Sequence, residues 1–285
     1  MKVILNGQLV ERSEAKVDIE DRGYQFGDGI YEGFRIYQGC IFTFDQHIDR
    51  LFDSAELIDL AIPYTKEELK DQLTELITAN QLGDGMIYLQ ISRGTQMPRN
   101  HVYSPDNHPV LMATSIAAPR DLAAFEKGLT AITAVDDRWL HCNIKSLNLL
   151  GNVLAKNQAA KAGADEAILY RDEDHVTECS HSNVFIVKNN TLITHPANNL
   201  ILNGITRQTI LKLAKENKVA IEERVFSLTE LKQADEVFIS SIMAEVTPVT
   251  TIDGEMIGTG VRGPLSTELE QYFIAEIEKT CGIQL

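Results

Sequence analysis

The stretch Ile144-Lys145-Ser146-Leu147-Asn148-Leu149-Leu150-Gly151 lies near the middle of the 285-residue chain, and its lysine precedes a strongly apolar run. The run predicts a helix that ends near Gly163, because glycine suits a left-handed C-cap. The predicted buried face of this helix comprises Leu149, Leu150, Val153 and Leu154. Lys145 would then lie on the segment leading into a packed helix, where its ammonium can lose part of its water. Nucleophilic lysines need such a setting, whereas most lysines are solvated, so the residues alone leave both interpretations open.

Composition and charge exclude several classes of protein. With 44% hydrophobic residues the chain can bury a substantial core, and its length suits one large domain or two modest ones. The net charge of −15 argues against nucleic-acid binding, because the phosphates would be repelled. Any anionic ligand must therefore be held by a few local cations.

Several other kinds of site find no support in the sequence. No window has the apolar length of a membrane span, and we expect no signal peptide. The four cysteines lack CxxC spacing, which predicts reduced thiols of a cytoplasmic protein and neither a disulfide framework nor a zinc site. There is no HExxH, Walker loop or GxSxG pattern, so metal, nucleotide and serine-hydrolase sites are not supported.

Local signals predict an order of strands and helices. Asn6-Gly7 predicts a hairpin over residues 3–10, and an amphipathic pattern predicts a helix over residues 44–62. Capping boxes at Thr65 and Ser227 start two further helices. Strands are predicted at residues 30–37, 86–93, 110–116, 129–135, 166–170, 183–187 and 236–240, and helices after Gly204 and after Gly263.

The segment Ala117-Ala118-Pro119-Arg120 follows the last strand of the first half and is typical of a linker. We therefore predict a small N-terminal α/β domain over residues 1–117. A linker at residues 118–121 would join it to a larger domain over residues 122–285.

Residues 94–103 form a long predicted loop, and loops of this length are usually functional or disordered. Arg99 and His101 stand two residues apart in it, so both side chains can donate hydrogen bonds to one carboxylate. The residues alone are also compatible with an ordinary polar loop that binds no carboxylate, which is the alternative interpretation.

The stretch Arg138-Trp139-Leu140-His141-Cys142-Asn143-Ile144-Lys145-Ser146-Leu147-Asn148-Leu149-Leu150-Gly151 resembles the cofactor-lysine segment of D-amino acid aminotransferases. These enzymes share a pyridoxal-phosphate family with branched-chain aminotransferases and aminodeoxychorismate lyase, and the resemblance covers essentially the whole chain. It implies an α+β, two-domain fold type IV enzyme, with a small α/β sandwich domain and a larger domain that has a barrel-like sheet and helices. It also implies a homodimer with shared active sites.

The resemblance implies how the cofactor, pyridoxal 5'-phosphate, is bound. Lys145 would bond to it covalently and move the substrate proton, and Glu178 would keep its ring nitrogen protonated. The helical pattern by itself predicts an exposed Arg50, but the match of His47-Ile48-Asp49-Arg50-Leu51 implies a phosphate contact. The other implied phosphate and ring contacts are Leu202, Ile205, Thr206 and Ser241. The implied contacts of the substrate carboxylate are Tyr31, Arg99 and His101, with a half-buried strand aromatic as the alternative for Tyr31.

Two positions depart from the family pattern. Relatives usually offer a hydroxyl to the phosphate where this chain has Ile242, so Ser241 or a backbone amide would have to replace it. Relatives also tend to carry a small residue where this chain has His181.

The implied reaction exchanges an amino group between D-alanine and 2-oxoglutarate, giving pyruvate and D-glutamate. A branched-chain L-amino acid aminotransferase and an aminodeoxychorismate lyase are the alternatives on the same fold. The branched-chain enzymes usually have an arginine two residues after the tyrosine of the strand at 86–93, and here Gln90 follows Tyr88. This difference, with Arg99 and His101, favours the D-specific reaction. A pyridoxal-phosphate-binding protein without catalysis is the alternative from another class.

Overall fold

The computed structural model describes residues 1–123 and 125–285, which form two compact units. The first unit comprises residues 1–119 and 144–148, and the second comprises residues 120–143 and 149–285. Each unit combines a sheet with helices, so the predicted α+β class is confirmed. No helix in the described residues is both long and apolar enough to cross a bilayer.

The first unit is built on a six-stranded sheet. Its elements are β1 (Lys2–Leu5), β2 (Gln8–Glu11), α1 (Arg22–Phe26), β3 (Gly29–Tyr37), β4 (Cys40–Ile41), α2 (Phe44–Glu56), α3 (Lys66–Ala79), β5 (Gly85–Ser92) and β6 (Val110–Ala117). The strand order is β2-β1-β6-β5-β3-β4. Helices α2 and α3 bury their apolar faces in a core that also contains Phe34, Ile87 and Leu89 of the sheet.

Most local predictions for the first unit are confirmed. Asn6 and Gly7 turn the hairpin between β1 and β2 with φ angles of 49° and 76°. Thr65 forms the predicted capping box of α3. The helix predicted over residues 44–62 is too long, because α2 ends at Glu56 and Asp59 then takes a positive φ of 51°.

The second unit is built on a nine-stranded sheet. Its elements are α4 (Leu122–Lys127), β7 (Leu129–Val135), α5 (Leu150–Lys161), β8 (Glu166–Tyr170), β9 (Val176–Cys179), β10 (Asn183–Lys188), β11 (Thr191–Thr194), α6 (Ile205–Glu216), β12 (Ala220–Glu223), α7 (Leu228–Lys232), β13 (Glu236–Ser240), β14 (Thr247–Ile252), β15 (Glu255–Met256) and α8 (Pro264–Cys281). The strand order is β12-β11-β10-β13-β14-β7-β8-β9, and β15 pairs with β14.

The predicted helix after Lys145 exists as α5, but its predicted buried face is wrong. Leu150, Val153 and Leu154 are 71%, 50% and 59% exposed in the single chain. The face that packs on β7 and β8 carries alanines, with Ala159 fully buried and Ala155 partly buried. Small side chains allow this helix to lie close to the sheet, whereas the pattern of large apolar residues indicated the opposite face.

Candidate active site

The segment around Lys145 pairs with the first residues of β3. The Tyr31 amide donates to the Lys145 carbonyl at 3.0 Å, and the Leu147 amide donates to the Gly29 carbonyl at 3.0 Å. A Cβ at Gly29 would lie 2.5 Å from the Ile91 carbonyl oxygen of the neighbouring strand, so this position requires glycine. The backbone of Lys145 is therefore fixed on both sides by the sheet of the first unit.

The side chain of Lys145 lies over an aromatic ring. Its Nζ is 4.1 Å from the ring centroid of Tyr31, and its amide donates to the Ser54 hydroxyl of α2 at 3.2 Å. The Tyr31 ring in turn lies 5.5 Å from the ring of Tyr88, whose hydroxyl donates to Gln90. Burial raises the pKa of Tyr88 to about 12, so this hydroxyl stays protonated. The structure thus brings together Lys145 and Tyr31, two predicted site residues.

Arg50 is not exposed, contrary to what its helical position by itself predicts. Its side chain is 13% exposed and forms a bidentate pair with the fully buried Glu32, with Nε–Oε1 at 2.7 Å and Nη2–Oε2 at 2.9 Å. Burial opposes ionisation of Glu32, but Arg50 and His47 outweigh it and hold the pKa of this carboxyl well below its usual range. A buried carboxylate therefore orients the guanidinium of Arg50.

His47 is the second partner of Glu32, with Nδ1 at 2.8 Å from Oε2. Burial lowers the pKa of His47, and the positive charges of Arg50 and Lys145 also lower it. The imidazole is therefore neutral at pH 7. Because the Glu32 carboxylate can only accept, the neutral imidazole carries its proton on Nδ1 and donates a hydrogen bond to Glu32 Oε2.

Glu178 lies on β9 in the second unit and is 6% exposed. Its carboxylate accepts hydrogen bonds from Arg138 Nη1 at 2.8 Å, Asn183 Nδ2 at 3.0 Å and the Leu202 amide at 3.1 Å. A carboxylate has about four acceptor sites, so these three donors leave room for one more. Burial raises the pKa of Glu178 to about 7, although Arg138 acts in the opposite direction.

Arg138 is a functional candidate to which the sequence analysis assigned no role. Its guanidinium forms two hydrogen bonds of 2.9 Å with Asp136, through Nε and Nη2, while Nη1 donates to Glu178. Asp136 also accepts from the Thr177 hydroxyl at 2.8 Å. The only sequence signal was an arginine two residues after an aspartate at the end of β7, since the contact with Glu178 links residues 40 positions apart.

The N-terminus of α6 offers groups that can bind an anion. Gly204 caps this helix without a side-chain hydrogen bond, and the Thr206 hydroxyl bonds no other group in residues 1–123 and 125–285. The buried hydroxyl of Ser240 likewise has no partner among those residues. The Ser241 hydroxyl accepts from the Ala244 amide at 3.0 Å. Unpaired N–H groups and the helix dipole favour a phosphate at such a terminus.

The residues present fit a phosphate-bearing cofactor with a ring nitrogen. The remaining acceptor site of Glu178 suits a protonated nitrogen, and the Leu202 backbone, bonded to Glu178 and to Asn183, fixes the chain between that carboxylate and α6. The α6 terminus suits the phosphate.

Arg99 and His101 lie together in the loop of residues 94–103, called the trap loop below. Arg99 Cζ is 4.1 Å from the ring centroid of Phe26, and the His101 ring is 5.2 Å from the same ring. Both residues are exposed. In the part of the chain that the structure describes, no hydrogen bond, ion pair or ring contact joins either of them to Tyr31 or Lys145.

Comparison with known proteins decides the family. The model of the family described as Amino-transferase class IV matches residues 29–252. The chain belongs to this family. It is 56% identical over 285 residues to a D-alanine aminotransferase of Listeria monocytogenes serotype 1/2a (strain 10403S), covering 99% of this chain and 98% of the relative. It is 51% identical to a D-alanine aminotransferase of Bacillus licheniformis, covering 98% of this chain and 100% of the relative.

A solved structure agrees with this assignment. The branched-chain amino acid aminotransferase of Thermobaculum terrenum, in its PLP form, superimposes with a TM-score of 0.85 at 29% identity, covering 99% of this chain and 94% of the other. The predicted fold type IV architecture is confirmed, and this family member is an aminotransferase that uses pyridoxal 5'-phosphate. The residues that bind the cofactor are taken up as a proposal below.

The raised pKa of Glu178 predicts a pH-dependent stability of the cofactor-free protein. Because burial raises this pKa from 4.5 to about 7, the folded protein binds the proton more tightly than the unfolded chain. The stability that the protonated group contributes is complete below the unfolded value and is lost as the pH rises through the folded value. Relative to Glu178→Gln, we expect the free energy of unfolding to fall by about 3 kcal/mol across this range.

Urea unfolding at several pH values measures this difference. Glu268→Gln alters an exposed glutamate of α8 and serves as the control, whose pH profile should parallel that of the unaltered protein. If the gap between the unaltered protein and Glu178→Gln stayed constant with pH, the raised pKa would be wrong.

Proposed function

We propose that this protein transfers the amino group of a D-amino acid to a 2-oxo acid, with D-alanine and 2-oxoglutarate as the principal pair. Pyruvate and D-glutamate would be the products. The observation that carries the proposal is the 56% identity, over 99% of the chain, to a protein named D-alanine aminotransferase. The local structure supports it, because Lys145 lies over the ring of Tyr31 on a rigid strand pairing.

Lys145 is the catalytic residue of the proposal. In the resting enzyme its Nζ would hold the cofactor covalently, and the same amine, once freed by the incoming substrate amine, would move the proton on and off the substrate Cα. Two backbone hydrogen bonds to β3 hold the segment in place, so the side chain alone has freedom to move between these tasks. When bound, pyridoxal phosphate supplies an electron-accepting ring and a carbon that carries the amino group.

Glu178 is proposed to face the ring nitrogen. A carboxylate in this place favours a protonated nitrogen, which strengthens the ring as an electron acceptor. Arg138 and Asn183 support this role because each donates to a different oxygen of Glu178 and so fixes its plane.

The phosphate is proposed to contact cationic and neutral donors. Arg50, oriented by Glu32, supplies a local positive charge in a chain whose net charge is −15. The remaining proposed contacts are the Ile205 amide, the Thr206 hydroxyl and the Ser241 hydroxyl, with Leu202 against the ring. Backbone amides at a helix start and hydroxyls are common phosphate ligands.

The substrate carboxylate is proposed to bind Tyr31, Arg99 and His101. Gln90, which bonds the Tyr88 hydroxyl, stands where branched-chain enzymes usually carry an arginine. Since the structural neighbour at a TM-score of 0.85 is named a branched-chain enzyme, an L-specific reaction is the second candidate. The sequence relatives named D-alanine aminotransferase are far more similar, at 51% and 56% identity against 29%.

A panel of amino acids assayed as D and L enantiomers in parallel tests the proposal. The holoenzyme should react with D-alanine, and its yellow absorbance should bleach during the half-reaction, whereas L-leucine and L-valine should react far more slowly. Turnover confined to L-branched-chain substrates would replace the proposal with its rival. A yellow protein that reacts with neither enantiomer would be a binding protein and not an enzyme.

We further propose that the protein acts as a homodimer in the cytoplasm. Leu150, Val153 and Leu154 are exposed on one face of α5, and a second copy of the chain would remove them from water. The trap loop presents Arg99 and His101 outward without contacts to Tyr31 or Lys145 in the described chain, as expected if the loop serves the partner's site. The described residues contain no disulfide, which supports a reducing compartment.

Mixed dimers test whether the trap loop acts across the interface. Arg99→Ala and Lys145→Ala proteins, each inactive, are unfolded and refolded together. If the loop serves the partner, each mixed dimer has one site with both native groups and one site with neither. Random pairing makes about half of the dimers mixed, so roughly a quarter of full activity should return.

Each protein refolded alone is the control. Mass measurement must establish that mixed dimers have formed. If they have formed and no activity returns, the loop serves its own subunit.

A further inference from the structure

A buried arginine, Arg22, holds the trap loop at its first residue and again at Asn100 and His101. Its backbone amide donates to the Gly94 carbonyl at 2.9 Å, where the loop begins. Its guanidinium donates to the Asn100 carbonyl at 2.5 Å through Nη1 and to the His101 carbonyl at 3.1 Å through Nη2. Arg22 is 4% exposed, so these contacts are shielded from water and from salt.

The two carbonyls that accept from Arg22 are placed at the functional part of the loop. Asn100 stands between Arg99 and His101, and His101 is itself bound through its carbonyl. The side chains of Arg99 and His101 remain exposed while the backbone between them is fixed. This arrangement presents two donors outward from an ordered chain, and ordering before binding increases affinity.

Asp28 fixes the orientation of the Arg22 guanidinium. Its Oδ2 accepts from Arg22 Nε at 2.7 Å, and both of its oxygens lie 3.0 Å from Arg93 Nε. Arg93 Cζ lies 3.9 Å from the ring centroid of Tyr103, the last residue of the trap loop. One partly buried carboxylate therefore aligns two arginines, and each arginine contacts the loop at a different point.

Helix α1 contacts the trap loop through Phe26 as well as through Arg22. Phe26, at its last position, contacts Arg99 and His101, and Arg22 Cζ lies 4.8 Å from the same ring centroid. The loop begins where two backbone segments approach closely, because a Cβ at Gly94 would lie 1.8 Å from the His108 carbonyl oxygen and only glycine fits there. The loop is thus held at Gly94, at Asn100 and His101, and at Tyr103.

We propose that Arg22 is a positioning residue for the substrate carboxylate, acting through the trap loop. The inference rests on the proposed function, in which Arg99 and His101 bind that carboxylate. Arg22 itself does not touch the substrate. Its loss would spread the positions of Arg99 and His101 and so weaken carboxylate binding, while the chemistry at Lys145 would be largely kept.

Arg22→Lys and Arg22→Gln test the inference in the holoenzyme. Lysine keeps the charge but lacks the fork that reaches two carbonyls and Asp28 at once. We expect the KM for D-alanine and the inhibition constant of propionate, a carboxylate without an amino group, to rise together by about tenfold or more. The rate at saturating D-alanine should change less than threefold, and hydrogen exchange of the trap loop should increase.

Arg35→Lys is the matched control. Arg35 is also buried, at 2% exposed, and also donates to backbone carbonyls, those of Gly85 and Ala118. These bonds do not contact the trap loop. Arg35→Lys should therefore lower the stability of the protein, but the ratios of the KM for D-alanine and of the propionate inhibition constant to the saturated rate should stay unchanged. If Arg22→Gln fails to fold, Arg22→Lys and its hydrogen exchange still decide the matter.

Three results would overturn the inference. Exchange of the trap loop at the native level in Arg22→Lys would show that Arg22 does not hold the loop. Increased exchange with unchanged KM and propionate inhibition would show that the held loop does not bind the carboxylate. Absence of any D-alanine reaction in the unaltered holoenzyme would instead remove the proposed function, and the substrate role of Arg22 with it.

Discussion

Lys145→Ala is expected to lower turnover with D-alanine by at least about 10⁴-fold, because one side chain supplies both the covalent link and the proton transfer. The fold should survive. The backbone bonds of residue 145 to Tyr31 and Ser54 do not need the side chain, and its Nζ makes no hydrogen bond or ion pair in the described part of the chain. Circular dichroism and thermal unfolding should therefore match those of the unaltered protein.

Borohydride reduction of the holoenzyme followed by peptide mapping identifies the bonded lysine directly. We expect the label on Lys145 and its disappearance in Lys145→Ala. Lys161→Ala, which alters an exposed lysine in the last turn of α5, is the control and should keep both label and activity. Label on any other lysine would remove Lys145 from the catalytic role.

Glu178→Gln is expected to lower turnover on the order of 10²-fold, the size typical when one preorganised electrostatic partner is removed. A neutral amide cannot hold the ring nitrogen protonated. Cofactor retention should fall less, because the proposed phosphate contacts at Arg50 and Thr206 are unchanged. Absorbance of the bound cofactor after dialysis measures retention, and the half-reaction with D-alanine measures the rate.

The geometry around Glu178 calls for a matched control. Both of its oxygens accept hydrogen bonds, so a glutamine must turn its NH₂ toward a donor, either Arg138 or the pair formed by Asn183 and Leu202. Asn183→Ala removes one donor but keeps the carboxylate, and it should lower the rate much less. Equal rate losses in the two variants, or a native rate in Glu178→Gln, would mean that the charge is not what matters.

The elements confirmed from sequence are those with short-range signals. The Asn6-Gly7 hairpin and the capping boxes at Thr65 and Ser227 depend on residues at most three positions apart, and all three occur as expected. Helix α1 was not predicted, because it contains Gly23, ends at Gly27 and is only five residues long. Its N-cap, Asp21, accepts a hydrogen bond from the Gly23 amide, a contact that only the structure reveals.

Local sequence patterns did not predict which side chains are buried or which residues pair across long sequence separations. The outward face of α5 was mistaken for its core face, because the exposed leucines outweighed the buried alanines in the pattern. The pairs Arg138–Glu178 and Arg22–Asn100 join residues 40 and 78 positions apart, and nothing in either stretch names its partner. Lys145 and Glu178 received their proposed roles from family resemblance, which carries long-range information that periodicity lacks.

The pairing of residues 144–148 with β3 has a consequence for biosynthesis. The chain leaves the first unit at Pro119, returns to it for five residues, and leaves again at Asn148. A nascent chain that has emerged only to residue 119 thus lacks the piece that carries the lysine and lies beside Gly29 and Tyr31. Domains tend to fold in order as they leave the ribosome. The first unit includes residues 144–148, which follow β7 of the second unit in the chain. Translation therefore has to proceed past residue 148 before the first unit can be completed.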